Sequence, residues 1–299
     1  MIKFGLKINF VKYISTDYRK FRVIIKNNPY VLSFNKNEKQ IFEKKLNDIN
    51  INTEKPLVLL GLRDMAYYQH YSNIIKEDFN LTKRIKTNHR CPDIKNYFSA
   101  IKRIINNNHL VLRMGLKVSN NLDNYHNDHI IDYASNYRED SLDIYLLSIC
   151  KFVIAGDTGL FSGAAAFDKP SLISDLFLIR NNIYSTNNSI PNIFIPKLVL
   201  NLEKNRLLNF SETIHYNHFF TYSEDCENNG FKLVHNTPEE IENGCIELMS
   251  RINKEYIEND ETKYLRKKFN NIYLPHQLGY KTNGVISEFF LKKYEHLLS

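Results

Sequence analysis

Phe152-Val153-Ile154-Ala155-Gly156-Asp157-Thr158-Gly159-Leu160-Phe161-Ser162-Gly163 is the stretch on which the fold reading turns. Its first four residues form a short apolar run, the pattern of a strand buried on both faces. A turn with two glycines follows. Leu160 to Phe167 then reads as a short Ala-rich helix, stopped by Pro170. The glycines let the backbone approach a ligand closely. The helix start offers unpaired N–H groups and a positive dipole end to an anion. Thr158 and Ser162 add hydroxyls. The turn reads as a diphosphate cradle or, equally, as a tight turn that packs the helix on the sheet. It is neither a Walker loop, lacking Gly-Lys-Ser/Thr, nor the dinucleotide fingerprint, lacking the G-x-G-x-x-G spacing.

The same alternation extends in both directions. Upstream, Leu57-Val58-Leu59-Leu60-Gly61 and Leu110-Val111-Leu112 read as buried strands, and His129-Ile130-Ile131-Asp132 as another. Between them Asp93 to Ile105 has helical spacing, with Pro92 suited to its first turn, and Ser141 to Ile149 is a second helix. Asn37 to Ile49 is a third, with Asn37 as cap and Gln40 three residues on. Downstream, Leu172-Ile173 begins a strand and Phe231 to Val234 forms one. Residues 180–200, rich in Asn and Ser with Pro191 and Pro196, read as a long loop. Thr237-Pro238-Glu239-Glu240 opens a helix with cap, first-turn proline and capping box in place. Ser287 to Leu298 reads as a final helix, and residues 1–34 carry no clear pattern. Strands alternating with helices specify an α/β fold: a parallel sheet with helices on both faces.

Composition narrows the class. The chain has 299 residues, 40 Lys+Arg, 33 Asp+Glu and 43% apolar content. It is long enough to bury a core without disulfides or metals. No apolar run approaches the roughly 18 residues of a membrane helix. Met1 to Phe10 lacks a small-residue cleavage site, so no signal peptide is expected. Cys91, Cys150, Cys226 and Cys245 form no CxxC pair, which suits a reduced, cytoplasmic protein. The net charge of +7 fits a lysine-rich surface or attraction to a polyanion. No basic block interleaved with aromatics points to nucleic acid.

In an open α/β sheet, ligands bind beyond the carboxyl ends of the strands. Those positions hold Arg63 and Asp64, then Arg113 and Gly115, then Asp132 and Tyr133, then Asp157, Thr158 and Gly159. Arginine suits bidentate phosphate contacts. His89-Arg90 precedes the Pro92 helix, where it faces the same edge. No Asp-x-Asp occurs, and the pairs His126/His129 and His215/His218 lack a third ligand, so no metal or other cofactor is expected. No G-x-S-x-G elbow occurs, and no thiol reads as catalytic.

These residues together resemble a family. Leu62-Arg63-Asp64 with Tyr67, Arg113-Met114-Gly115, Ile131-Asp132-Tyr133-Ala134, Asp143-Ile144-Tyr145-Leu146, Cys150-Lys151-Phe152, the glycine turn with Phe167-x-x-Pro170, Lys197 with the Leu208–Ile214 segment, and Asn236-Thr237-Pro238-Glu239-Glu240-Ile241 are similar to a bacterial glycosyltransferase family of surface-polysaccharide and lipopolysaccharide gene clusters. The resemblance covers residues 56–255. It implies the nucleotide-sugar-binding half of a GT-B transferase, heptosyltransferase- and fucosyltransferase-like, over residues 56–299. Residues 1–55 would then be a short segment in place of a full acceptor domain. It also implies donor diphosphate contacts from Arg113, Thr158 and Gly159, with Arg63 across the cleft; Gly115, Asp157 and Ser162 join them from their places at the strand ends and the turn, and Asp64 and Asp132 are the candidate bases. Its partners would be a nucleotide-sugar donor and a glycan or lipid-linked acceptor, with room for a partner chain or second copy. The site of action would be the cytoplasm, peripheral to the inner face of the membrane. On this reading Arg113→Ala abolishes donor binding and leaves the thermal transition near wild type. Two alternatives remain: a sugar-nucleotide epimerase or hydrolase, and a non-catalytic donor-domain module that partners another glycosyltransferase.

Overall fold

Residues 33–74, 88–119, 122, 129–176, 190–220, 222–274 and 284–298 are described by a computed structural model. The unpatterned residues 1–32 and His126 lie outside the described residues. All that follows concerns one compact unit, Val31–Ser299.

Ten strands occur among the described residues: β1 (Leu57–Gly61), β2 (Leu110–Met114), β3 (Ile130–Ile131), β4 (Phe152–Ala155), β5 (Ser171–Leu176), β6 (Ile193–Pro196), β7 (Leu198–Asn201), β8 (Arg206–Leu207), β9 (Phe231–Val234) and β10 (Val285–Ile286). Seven form one parallel sheet in the order β10-β6-β5-β4-β1-β2-β3. The order runs outward in both directions from β1, so the winding reverses between β1 and β4. That reversal is the topological switch point of a doubly wound sheet. Strands β7, β8 and β9 form a small antiparallel sheet with its own apolar cluster around Val199, Phe220 and Phe231.

Alternation along each strand divides the core. Val58, Leu60, Val111 and Ile154 face a cluster made with α3 (Phe98–Asn106), α9 (Pro238–Ile252), α10 (Asp260–Asn270) and α11 (Glu288–Lys293). Leu57, Leu59, Leu110, Leu112 and Val153 face the opposite cluster, made with α1 (Lys36–Asp48), α5 (Asp140–Ile149) and α6 (Leu160–Ala166). Helix α1 belongs to this core, with the Phe42 ring stacked 4.8 Å from Tyr145. Four more short helices occur among the described residues: α2 (Met65–Ile74), α4 (Tyr133–Asn136), α7 (Phe210–His215) and α8 (Ser223–Asn228).

The sequence reading needs correction at several points. Of the expected loop over residues 180–200, residues 180–189 lie outside the described residues, and the remainder is not loop, because Ile193-Phe194-Ile195 and Leu198-Val199-Leu200 are fully formed strands. Pro196 is the last residue of β6, where a missing N–H costs little. Asn192 belongs to the sheet as well, its side chain accepting from Ser171 N at 2.8 Å. Helix α1 is capped by Asn35 with Glu38, the same box read two residues late. The 93–105 helix begins as a tight 3-10 turn over Ile94–Tyr97 capped by Asp93. The final helix breaks after Lys293 and continues as a 3-10 turn, Glu295–Leu298. The Thr237 cap, Pro238 and Glu240 stand as expected.

Register sets the site. Gly61 pairs with Met114 on one side and Ala155 on the other. Strands β1, β2 and β4 therefore end level, and the segments after them leave the sheet side by side. Gly61 lies directly under the Leu160 side chain: a Cβ there would overlap Leu160 Cδ2, and that side chain would have to shift. The missing side chain lets helix α6 sit close over the end of β1.

Candidate functional site

A cleft of about 400 Å³ opens at the switch point. Its floor is the Gly61–Asp64 segment, Gly115 and the Thr158-Gly159 turn. Helices α5 and α6 wall one side through Leu147 and Gly163. Of the residues singled out in the sequence, Arg63, Asp64, Gly115, Thr158 and Gly159 line it; Arg113, Asp132, Asp157 and Ser162 do not.

Arg63 bridges the switch point. Its Nε and Nη2 donate to the Asp157 carbonyl at 3.0 and 2.8 Å, and its Nη1 to the Tyr68 hydroxyl at 2.8 Å. Arg90 holds the same residue from the other side, donating to Asp157 Oδ2 from Nε at 3.0 Å and Nη2 at 2.5 Å. The Asp157 side chain is buried by this clamp and turned from the cleft. Thr158 Oγ1 accepts from Leu160 N at 3.3 Å. Gly159 is exposed, with φ −68°, and a Cβ built on it meets nothing within 4 Å. An ordinary residue would fit its backbone, so what the glycine provides is open space over the cleft.

Arg113 lies inside the sheet rather than beyond it. Strand β2 continues to Met114, two residues past the end read from the sequence, and Arg113 pairs in register with Leu60. Its side chain, 8% exposed, stands between Asp64 Oδ2 at 3.7 Å and Asp132 Oδ2 at 3.5 Å. Both carboxylates carry further bonds. Asp64 accepts from Ala66 N at 2.8 Å, Ser119 N at 3.0 Å and the Ser119 hydroxyl. Asp132 accepts from Leu122 N at 3.1 Å and from the Ser135 hydroxyl at 2.8 Å while capping α4. A buried arginine between two carboxylates holds β2, β3 and the β1 end together.

The cleft also contains two residues not singled out as site residues. Arg138 Nη2 lies 3.1 Å from Asp143 Oδ2 in an ion pair and donates to Asp140 Oδ1. Both Arg138 and Asp143 line the cleft. Arg138 Nε and Asp143 Oδ1 are buried without a hydrogen-bond partner. Tyr133, beside Asp143, donates its hydroxyl to the Glu139 carbonyl at 3.1 Å. Burial raises the Asp143 carboxyl above its ordinary range, against the pull of Arg138. The only available signal was the Asp143-Ile144-Tyr145-Leu146 run, which reads equally as a helix face. Among the described residues no group of three His, Cys, Asp or Glu is placed to hold a metal. Cys150, Cys226 and Cys245 are buried, which pushes each thiol up to about 12. No helix among the described residues is long and apolar enough to cross a membrane.

The fold and cleft thus define a doubly wound parallel α/β unit with a switch-point pocket. No family profile matches the chain, and no curated protein matches it. Among solved structures it is similar to the ADP-heptose lipopolysaccharide heptosyltransferase II of E. coli, at 16% identity, 48% coverage of this chain and a TM-score of 0.34. The match spans 38% of that enzyme's length.

Proposed function

We propose that this chain is a GT-B-type glycosyltransferase that binds a nucleotide sugar in the switch-point cleft. It passes the sugar to a cell-surface glycan or glycolipid without a metal. The observation that carries the reading is the convergence of Arg63, Thr158, Gly159 and Gly115 on one pocket at the switch point, where doubly wound sheets take nucleotides. Arg63, Lys117 and Arg138 bring positive charge to that pocket. The open face of Gly159 leaves room for a diphosphate against the backbone. Positive groups already in place would stabilise the leaving nucleoside diphosphate as its charge develops. The motif set from Leu62 to Ile241 agrees with this assignment, and the absence of Asp-x-Asp agrees with metal-independent transfer.

Thermal denaturation against UDP-, GDP-, CMP- and ADP-linked sugars tests it. A ligand bound only by the native state at about 100 times its Kd adds ~2.7 kcal/mol of stability. A rise of several degrees with one nucleotide class, lost in Gly159→Leu, supports the reading; no rise with any class removes it. One observation favours a second reading, a donor-binding module without catalysis: Asp64 and Asp132, the carboxylates first read as bases, are both paired with Arg113. Ligand-induced stabilisation without release of nucleoside diphosphate would select that reading.

A further inference from the structure

Arg63, Lys117 and Arg138 all line the switch-point cleft, but they are not equally free to meet an anion. Arg63 is committed to the fold: Nε and Nη2 donate to the Asp157 carbonyl and Nη1 to the Tyr68 hydroxyl. Arg138 is committed to two carboxylates, donating to Asp140 Oδ1 and lying 3.1 Å from Asp143 Oδ2. One positive charge set against two negative ones leaves that wall with no surplus to offer. Lys117 differs. It is exposed, and among the described residues it has neither an ion pair nor a hydrogen bond. A phosphate meets it without first breaking a contact. An ammonium on a flexible four-carbon stem can also follow the group that it holds.

The backbone that carries Lys117 is fixed, although the side chain is not. Residues 115–119 leave the end of β2, and their far end is fastened to the segment after β1. Ser119 N donates to Asp64 Oδ2 at 3.0 Å, and the Ser119 hydroxyl donates to Asp64 Oδ1. Asp64 also accepts from Ala66 N at 2.8 Å and stands 3.7 Å from Arg113 Nη2. A carboxylate has about four lone-pair sites, and these donors take up its two oxygens. The carboxylate thus ties β1, β2 and the Lys117 turn to one another.

Positive charge therefore reaches the cleft from two separate edges. On the β1 and β4 side, the Arg63–Asp157–Arg90 bridge sets two guanidiniums against one carboxylate. On the β2 side stands Lys117. The Thr158-Gly159 turn, with open space over Gly159, belongs to the same cleft. Two cationic edges suit two phosphates better than one. A single phosphate lodged at the Arg63 edge leaves Lys117 without a partner.

We infer that Lys117 takes the second phosphate of the donor, so that the cleft selects nucleoside diphosphate sugars over nucleoside monophosphate sugars. Asp64 is the positioning residue that holds Lys117 in place through Ser119. The inference rests on the transferase reading. It also changes the part given to Asp64: the carboxylate that the sequence suggests as a base holds a phosphate-binding turn instead.

Titration calorimetry on the full chain tests this, with UDP, GDP, ADP and CDP set against UMP, GMP, AMP and CMP. Wild type should bind one diphosphate about tenfold more tightly than its monophosphate, the worth of one charge-assisted contact. Lys117→Met should lose about tenfold in diphosphate affinity and stay within about twofold for the monophosphate. The salt dependence of its diphosphate binding should weaken too, because an exposed charge is screened. Its melting temperature should stay within about a degree of wild type, since no contact of the folded chain is removed. Ser119→Ala tests the positioning role. It should weaken diphosphate binding by about threefold in the wild-type chain and not at all in the Lys117→Met background. An equal loss in both backgrounds overturns the positioning role of Asp64. A diphosphate preference kept in Lys117→Met, or a wild type that prefers a monophosphate, overturns the assignment of Lys117 and spares the transferase reading. A wild type that binds no nucleotide and no nucleotide sugar removes the transferase reading and this inference with it.

Discussion

Arg63 donates two hydrogen bonds to one carbonyl oxygen, that of Asp157, and so ties the end of β1 to the end of β4 across the switch point. A single guanidinium thereby sets the width of the cleft while contributing charge to it.

Replacing Arg63 should therefore cost stability and binding together. Hydrogen bonds from a charged donor are worth about 1.5–3 kcal/mol each, less where solvent reaches them. Arg63→Ala is expected to lower the urea-unfolding free energy by ~2 kcal/mol and to abolish stabilisation by nucleotide sugars. Arg63→Lys should recover little of either, because an ammonium cannot make the planar fork. Full recovery by lysine would reduce Arg63 to a point charge.

Arg113 behaves otherwise. With its side chain between Asp64 and Asp132, Arg113→Ala leaves two carboxylates without their shared cation at the carboxyl edge of the sheet. Breaking a buried pair costs about 3–5 kcal/mol. The expectation from sequence, a variant with unchanged melting and lost binding, gives way to one that melts far below the wild type. Calorimetry of Arg113→Ala decides: a transition within a degree or two of wild type contradicts the buried pairing.

Two glycines offer a contrast. A Cβ at Gly61 would press on Leu160, whereas a Cβ at Gly159 meets nothing. Overpacking costs about 1–3 kcal/mol. Gly61→Ala should therefore destabilise by ~2 kcal/mol, and Gly159→Ala by no more than the few tenths to ~1 kcal/mol of a weakened helix cap. Comparable melting temperatures for the two variants would mean that the Leu160 side chain turns aside from the new methyl at little cost.

Much of this arrangement was legible because buried parallel strands are locally distinctive. Leu57–Gly61, Leu110–Leu112 and Phe152–Ala155 are runs that no amphipathic helix produces, and they located the carboxyl edge. Ile193–Pro196 and Leu198–Asn201 were hidden by composition, since Asn, Ser and two prolines surround them. Arg113 was misread because its strand runs two residues past the apolar run that marked it, and a polar residue inside a strand looks like one just outside it. Arg138 and Asp143 escaped a site reading for another reason: Arg138 lies in the short connection before α5 and Asp143 on its first turn, and only the packing of α5 beside α6 brings them to the cleft.

Acid should weaken the C-terminal part of the unit. Burial pushes the Glu288 carboxyl up, but donation from Lys292 at 2.8 Å and Tyr256 at 2.7 Å prevails and holds it at about 2. A carboxylate with a depressed native pKa contributes stability above its unfolded pKa of about 4.3, lost as pH falls toward the native value. Melting temperature should thus decline between about pH 4.5 and 2 more steeply in wild type than in Glu288→Gln. Parallel profiles would show that the Lys292 and Tyr256 contacts carry no such coupling.

Asp143 supplies the opposite sign. Burial raises its carboxyl pKa, so ionising it costs the native state stability as pH rises. Asp143→Asn removes that cost, while Arg138 keeps Asp140 as a partner. Melting at neutral pH should stay level or rise, within about 1 kcal/mol. The substitution also takes a negative charge from the cleft wall and leaves Arg138 more available to an anion. An anionic donor should therefore bind Asp143→Asn more tightly than wild type, by a few-fold at low salt and less as ionic strength rises. Titration calorimetry with the stabilising nucleotide sugar measures this directly. Weaker binding by the asparagine variant would show that Asp143 contacts the donor itself, accepting from its sugar hydroxyls, and would move the diphosphate away from Arg138.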